Sequence, residues 1–157
     1  MKTKIGITDK HLHKSSTILL TILSDEMVLY VKTRNFHWNV SGESFMELHK
    51  LFENQYKQLE ASIDEIAERI GKLGEKTIGS MHEFLKHSSI KEHTGKHPES
   101  KEMIKQLLAN HETVIIKLRK DIEECSEKNK DAGTADFLTG LMEEHETIAW
   151  ILRRYLH

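Results

Sequence analysis

The chain has 157 residues, of which 31% are charged, with one proline, eight glycines and a net charge of −2 when its 11 histidines are neutral. That is enough for one domain with a buried core and too short for two of ordinary size, and the composition favours helix over sheet, so one all-α domain is expected. No dense basic run marks a dedicated nucleic-acid binder, no window approaches the 18 apolar residues of a membrane span, and the single cysteine, Cys125, has no internal disulfide partner.

MKTKIGITDK lacks the apolar stretch of a secretory signal, so the cytoplasm is the expected compartment, and residues 1–9 read as a tail ahead of the first helix. From about Lys10 to Asn39, Leu19, Ile22, Leu23, Met27, Tyr30 and Val31 recur mostly at three- and four-residue steps, which places them on one helical face. NVSGES ends this helix: Gly42 supplies a turn, and Ser44 stands three residues before Glu47 in the form of a capping box. A second helix then starts near Phe45, with the stripe Leu48, Phe52, Tyr56, Leu59, Ile63, Ile66, Ile70 and Leu73, and stops at Gly71 and Gly74 after about 29 residues.

The following GEKTIGSMHEFLKHSSIKEHTGKHPES is polar and carries His82, His87, His93 and His97, which are expected to be exposed. Ser80 with Glu83 opens one short amphipathic helix inside it. Pro98 suits the first turn of a third helix, whose stripe runs Ile104, Leu107, Leu108, His111, Ile115, Leu118, Ile122 and Cys125. KNKDAGT breaks that helix, and Thr134 is placed to cap a fourth, carrying Leu138, Leu141, His145, Ile148, Leu152 and Tyr155. His111 and His145 fall on core stripes and are expected to be buried and hydrogen-bonded. Two helical hairpins joined by a connection of about 25 residues have the ferritin-like bundle architecture, because an up-down-up-down bundle needs only short loops.

Polar residues beside these stripes are the candidates for chemistry. On the second helix His49 and Glu53 are four apart, as are Asp64 and Glu68, so each pair occupies one face. Imidazole with carboxylate suits iron, zinc or manganese, but taken alone Asp64 and Glu68 read first as a solvated acidic face, and spacing alone does not choose. His49 and Asp64 lie roughly 22 Å apart along a continuous helix and cannot share a metal within one chain. A second copy packed across a two-fold axis would bring His37, His49 and Glu53 of one chain opposite Asp64 and Glu68 of the other, giving two equivalent sites. Glu-x-x-His, the motif of di-iron centres built inside one bundle, is absent, and Arg69 is expected in a structural ion pair.

NFHWNVSGESFMELHKLFENQY, followed by IDEIAERIGKLG and, at the far end, TADFLTGLMEEHETIAWILRRYL, resembles the Dps family of mini-ferritins, the DNA-binding proteins from starved cells. The likeness covers nearly the whole chain. It implies a hollow dodecamer with ferroxidase centres between subunits, formed by His37, His49, Glu53, Asp64 and Glu68, where family members often have aspartate in place of Glu53. It further implies that Fe(II) is oxidised, preferably by hydrogen peroxide, and that ferric mineral is stored within the shell; zinc or another divalent metal can occupy the same groups. Asp131 and Asp136 resemble the acidic lining of the family's pores, a reading preferred here to plain capping at a helix start, and Gly140 stands where some relatives have a further acid. Trp38 is a candidate redox neighbour or an interface filler. The family name suggests DNA binding and association with the nucleoid, but Lys2, Lys4 and Lys10 make a thin basic footprint, so any such binding is expected to be weak and salt-dependent.

Overall fold

The computed structural model describes residues 3–157, and among these the regular elements are all helical. In chain order they are α1 (Asp9–Asn39), α2 (Phe45–Lys72), α3 (Met81–His87), α4 (Ser100–Glu123), which continues as a π-helical turn over Glu124–Lys128, and α5 (Ala132–Arg154). α1 packs against α2 and α4 against α5, so the chain forms the two expected hairpins, with α3 laid on α1 in the crossover. Asp25 meets Lys117 and Lys32 meets Asn110, which sets α1 antiparallel to α4 and leaves α2 and α4 running the same way, as a long crossover requires. Lys2 of the candidate basic tail lies outside the described residues; Lys4 is exposed, and Lys10 belongs to the first turn of α1.

The helix starts show where local signals yield to tertiary contacts. Ser80 and Glu83 form the expected capping box, with Ser80 N–H donating to the Glu83 carboxylate at 3.0 Å and Glu83 N–H to Ser80 Oγ at 3.3 Å. Ser44 does occupy the N-cap of α2, but its side chain makes no cap bond. Glu47 instead accepts from the Tyr155 hydroxyl at 2.7 Å, a contact that ties α2 to the end of α5 and pushes the phenol up to about 12. Pro98 lies just outside α4, whose N-cap is Glu99. α5 is capped by Asp131 rather than Thr134: Asp131 Oδ1 accepts from Thr134 N–H at 3.0 Å, while the Thr134 hydroxyl accepts from Arg69 at 3.1 Å.

Leu19, Ile22, Leu29 and Phe36 of α1 interlock with Phe52, Leu59 and Ile66 of α2, Leu107 and Leu118 of α4, and Leu138 and Leu152 of α5, all at most 2% exposed. The two hairpins are further joined by polar ties, including Ser62 to Glu144 at 3.2 Å and Arg69 to Asp131 at 3.3 Å, so Arg69 is the structural partner expected of it. Gly42 turns the chain between α1 and α2 at φ 105°, and Gly74 ends α2 at φ 91°, with Glu75 N–H reaching back to the Ile70 carbonyl at 3.3 Å. A methyl group on Gly74 would sit 2.1 Å from Thr3 Oγ1 in addition to the left-handed strain. Gly74→Ala is therefore expected to cost about 1–2 kcal/mol, seen as a lower urea midpoint with an unchanged slope.

Candidate metal centre

The turn at Gly42 folds the end of α1 back on the start of α2 and stacks the His37 and His49 rings with centroids 3.8 Å apart. Each imidazole Nδ1 is 2.8 Å from the other residue's backbone carbonyl. A carbonyl only accepts, so both Nδ1 atoms carry the proton, and each Nε2 is left as a bare lone pair. Histidines that bind metals are commonly oriented in this way, by donating the second ring N–H to a fixed acceptor. His37 is buried and His49 half-buried; the edge of Tyr56 closes on the His37 ring at 5.2 Å, and Phe45 lies 5.1 Å from the His49 ring.

One turn beyond His49, Glu53 accepts from Lys50 at 2.8 Å and from Lys57. The hydrogen bond from Lys50, followed by that from Lys57, holds its carboxyl down to about 2, so it is anionic throughout the physiological range. Asp64 and Glu68 are exposed farther along the same helix, with Glu68 3.3 Å from Lys72. Asp64 borders a groove of about 640 Å³ whose apolar wall is Met27, Tyr30, Ala61, Ile63 and Ala67. Among the described residues no three His, Cys, Asp or Glu side chains gather closely enough within one chain to hold a metal ion. The histidine pair is thus brought together, and the two distal acids stay apart from it, as the helical distance requires.

Trp38 is 65% exposed and its ring lies over the Arg34 guanidinium at 5.6 Å. Arg34 also stacks on Tyr30 and Tyr56, at 5.4 and 4.4 Å, and donates to the Tyr30 hydroxyl. Asp131 is not available to line a pore: it is 1% exposed and committed to the α5 cap and Arg69. Asp136 is exposed beside a smaller cleft with Glu65 and Glu144. His82, His87 and His97 are exposed as expected; His93 is half-buried against Phe36 at 5.3 Å.

His111 and His145 are buried and bonded Nδ1 to Nδ1 at 2.8 Å, and His145 Nε2 reaches Glu26 at 2.7 Å. Glu26 and its neighbour Asp25 escape a reading by stripes alone, although the signal was present: an Asp-Glu pair interrupts the apolar face of α1 three residues after Ile22 and Leu23. Tyr56 belongs to the predicted stripe of the second helix, but its place against the His37 ring, under the Arg34 guanidinium, comes from the fold.

A ferritin-like domain family matches residues 17–157. The chain is 44% identical over 155 residues to an uncharacterized low temperature-induced protein of Nostoc, covering 99% of this chain and 87% of that one. It is 38% identical over 136 residues to DNA protection during starvation protein 2 of Bacillus anthracis, covering 86% and 91% respectively. The crystal structure of a Dps protein from Vibrio cholerae, described as a member of a broad superfamily of ferritin-like diiron-carboxylate proteins, superposes with a TM-score of 0.93 at 31% identity, over 99% of this chain and 97% of that one. Sequence, helix order and crossover agree, and the chain belongs to the Dps mini-ferritin family of ferritin-like proteins.

Proposed function

We propose that this protein oxidises and stores iron, with hydrogen peroxide as the preferred oxidant, at centres shared between two subunits of a hollow dodecamer. The observation that carries this reading is the crossed pair His37 and His49, each Nδ1 donating to the other's carbonyl so that two imidazole Nε2 lone pairs stand side by side. The diiron-carboxylate description of the Vibrio cholerae relative points the same way. In this reading His37, His49 and Glu53 of one subunit face Asp64 and Glu68 of its partner, and the Asp64 groove, with its Met27, Tyr30 and Ile63 wall, is covered by the second copy. A two-fold contact of this kind makes two equivalent centres at once.

Fe(II) is the substrate, and zinc or another divalent ion competes for the same donors. Two Fe(II) ions deliver one electron each to a peroxide; with two protons the O–O bond breaks to two waters and two Fe(III) ions result. Paired electrons avoid the hydroxyl radical that a single Fe(II) releases. Glu53, anionic down to about pH 2, keeps a negative charge beside the site whatever the state of the histidines. Asp136 is the remaining candidate for drawing cations toward a pore, by focusing the local field. DNA binding is the weaker reading, resting on the relative's name and on Lys4 and Lys10.

Subunit complementation tests the shared centre. Chains with His37→Ala and His49→Ala, and chains with Asp64→Ala and Glu68→Ala, should each oxidise iron at the background rate. Unfolded together and reassembled at equal ratio, they should recover roughly a quarter of native activity, because half the two-fold pairs are mixed and each mixed pair keeps one intact centre. A mixture no more active than its components would remove the intersubunit assignment.

A further inference from the structure

The bundle interior carries a second polar constellation, apart from the histidine pair. Glu26 of α1, His145 of α5 and His111 of α4 are each at most 1% exposed and form one line of contacts, carboxylate to His145 Nε2 at 2.7 Å and His145 Nδ1 to His111 Nδ1 at 2.8 Å. Ferritin-like di-iron centres occupy bundle interiors with converging glutamates and Glu-x-x-His motifs. These three residues do not fit such a centre: there is one carboxylate, both nitrogens of His145 are engaged, and among the described residues no three His, Cys, Asp or Glu side chains are grouped to hold a metal ion.

The charge in this interior decides its protonation. Asp25, next to Glu26, is compensated by Lys117 at 2.7 Å, and Lys32 turns to Asn110. α2 presents Gln55 and Ser62, which do not ionise, and Tyr56; on α5, Glu144 is occupied by Ser62. Among the described residues, no cation but an imidazolium is therefore placed to compensate Glu26. An ionised Glu26 with two neutral imidazoles would leave a bare buried charge, which is strongly unfavourable. One proton in excess of that state makes the pair neutral; His145 then donates from Nδ1 and pairs through Nε2 with Glu26, and His111 must accept at Nδ1 and carry its own proton on Nε2, which like both Glu26 oxygens is buried without a hydrogen-bond partner.

We propose that Glu26, His145 and His111 hold one excess proton in place of a metal and form an acid-labile clamp between the two hairpins. A second proton adds an uncompensated charge at a fully buried ring. In the unfolded chain an imidazole protonates near pH 6.5, whereas burial, followed by the neighbouring His145, holds His111 well below that. Below pH 6.5 the unfolded chain consequently binds more protons than the folded one, and stability is lost as the pH falls.

Two measurements on the full-length assembled protein test this. Neutron diffraction near neutral pH should place deuterons on His111 Nε2 and His145 Nδ1, with one more between His145 Nε2 and Glu26. A deuteron on His111 Nδ1 with none on His145 Nδ1, or a metal seated among the three after an iron(II) soak, would overturn the proposal. Urea unfolding between pH 8 and 5 should show the unfolding constant rising up to about tenfold more per pH unit below 6.5 in the native protein than in His111→Asn, whose amide preserves the contact to His145 without titrating. Parallel pH profiles would also overturn it, and if the variant does not fold, the neutron structure alone decides.

Discussion

Asp25→Ala should lower the stability of the folded chain by about 3–5 kcal/mol, the largest loss expected from a single side chain outside the apolar core. The carboxylate is 1% exposed and gathers the connection that follows α3: it accepts from Ser88 Oγ at 2.9 Å, Ser89 N–H at 2.6 Å, Ser89 Oγ at 2.9 Å and Ile90 N–H at 3.3 Å, and pairs with Lys117 at 2.7 Å. Alanine leaves the Ser89 N–H without its acceptor and the Lys117 ammonium half-buried without its partner, while Ile90 N–H keeps Ser88 Oγ at 3.0 Å, so most of the cost is the desolvation that remains after the Lys117 attraction is lost. The amide introduced by Asp25→Asn would keep an oxygen for the serine cluster, and that variant should lose only about 1–3 kcal/mol. Urea unfolding of both variants is the measurement; an alanine variant within about 1 kcal/mol of the native protein would show that the crossover is held by something else. Because the histidine pair is built on α1 and α2 alone, iron oxidation by whatever fraction remains folded should be nearly unchanged.

His37→Ala should have the opposite profile, a fall of at least about a hundredfold in iron oxidation with little loss of stability. The backbone carbonyl of residue 37 survives the substitution, so His49 still has its acceptor and keeps the tautomer that exposes Nε2. What disappears is one imidazole donor and a ring stacked at 3.8 Å, worth about 1–2 kcal/mol in packing. Stopped-flow absorbance of the ferric product after adding peroxide to an iron(II)-loaded sample reads the activity, and circular dichroism confirms the fold. Native rates in a folded variant would remove His37 from the centre, whereas loss of the fold would make it a structural residue. Trp38→Phe offers a contrast within the same stretch: the indole is exposed over Arg34 and makes no contact through which the histidine tautomers are set.

Most of the architecture was legible because the apolar stripes repeat at helical spacing and because a polar connection of about 25 residues between two hairpins admits few packings. Stripe positions report burial well, and they located His111 and His145 in the core correctly. They do not report what a buried polar group is bonded to: Glu26 and His145 lie near opposite ends of the chain, and only the packing of α1 across the bundle from α5 brings the two within 2.7 Å. The same limit explains the helix starts. Ser44 with Glu47 has the form of a capping box, yet Tyr155 takes the glutamate; Thr134 looks like a cap, yet Arg69 takes its hydroxyl and Asp131 serves instead. The pore assignment of Asp131 failed for this reason, since a buried residue that caps a helix and pairs with a half-buried guanidinium has no face left for solvent.

By itself, the sequence determined the helices, their order, the long crossover, and the separation of His49 and Glu53 from Asp64 and Glu68 along α2, because these follow from spacing along a chain of known rise per residue. Tertiary structure alone decided which nitrogen of His37 and His49 is free, which acid caps α5, and how Glu26 meets the core histidines. Each of those depends on a hydrogen-bond partner brought from a distant part of the chain, and the direction of such a bond has no signature in residue spacing.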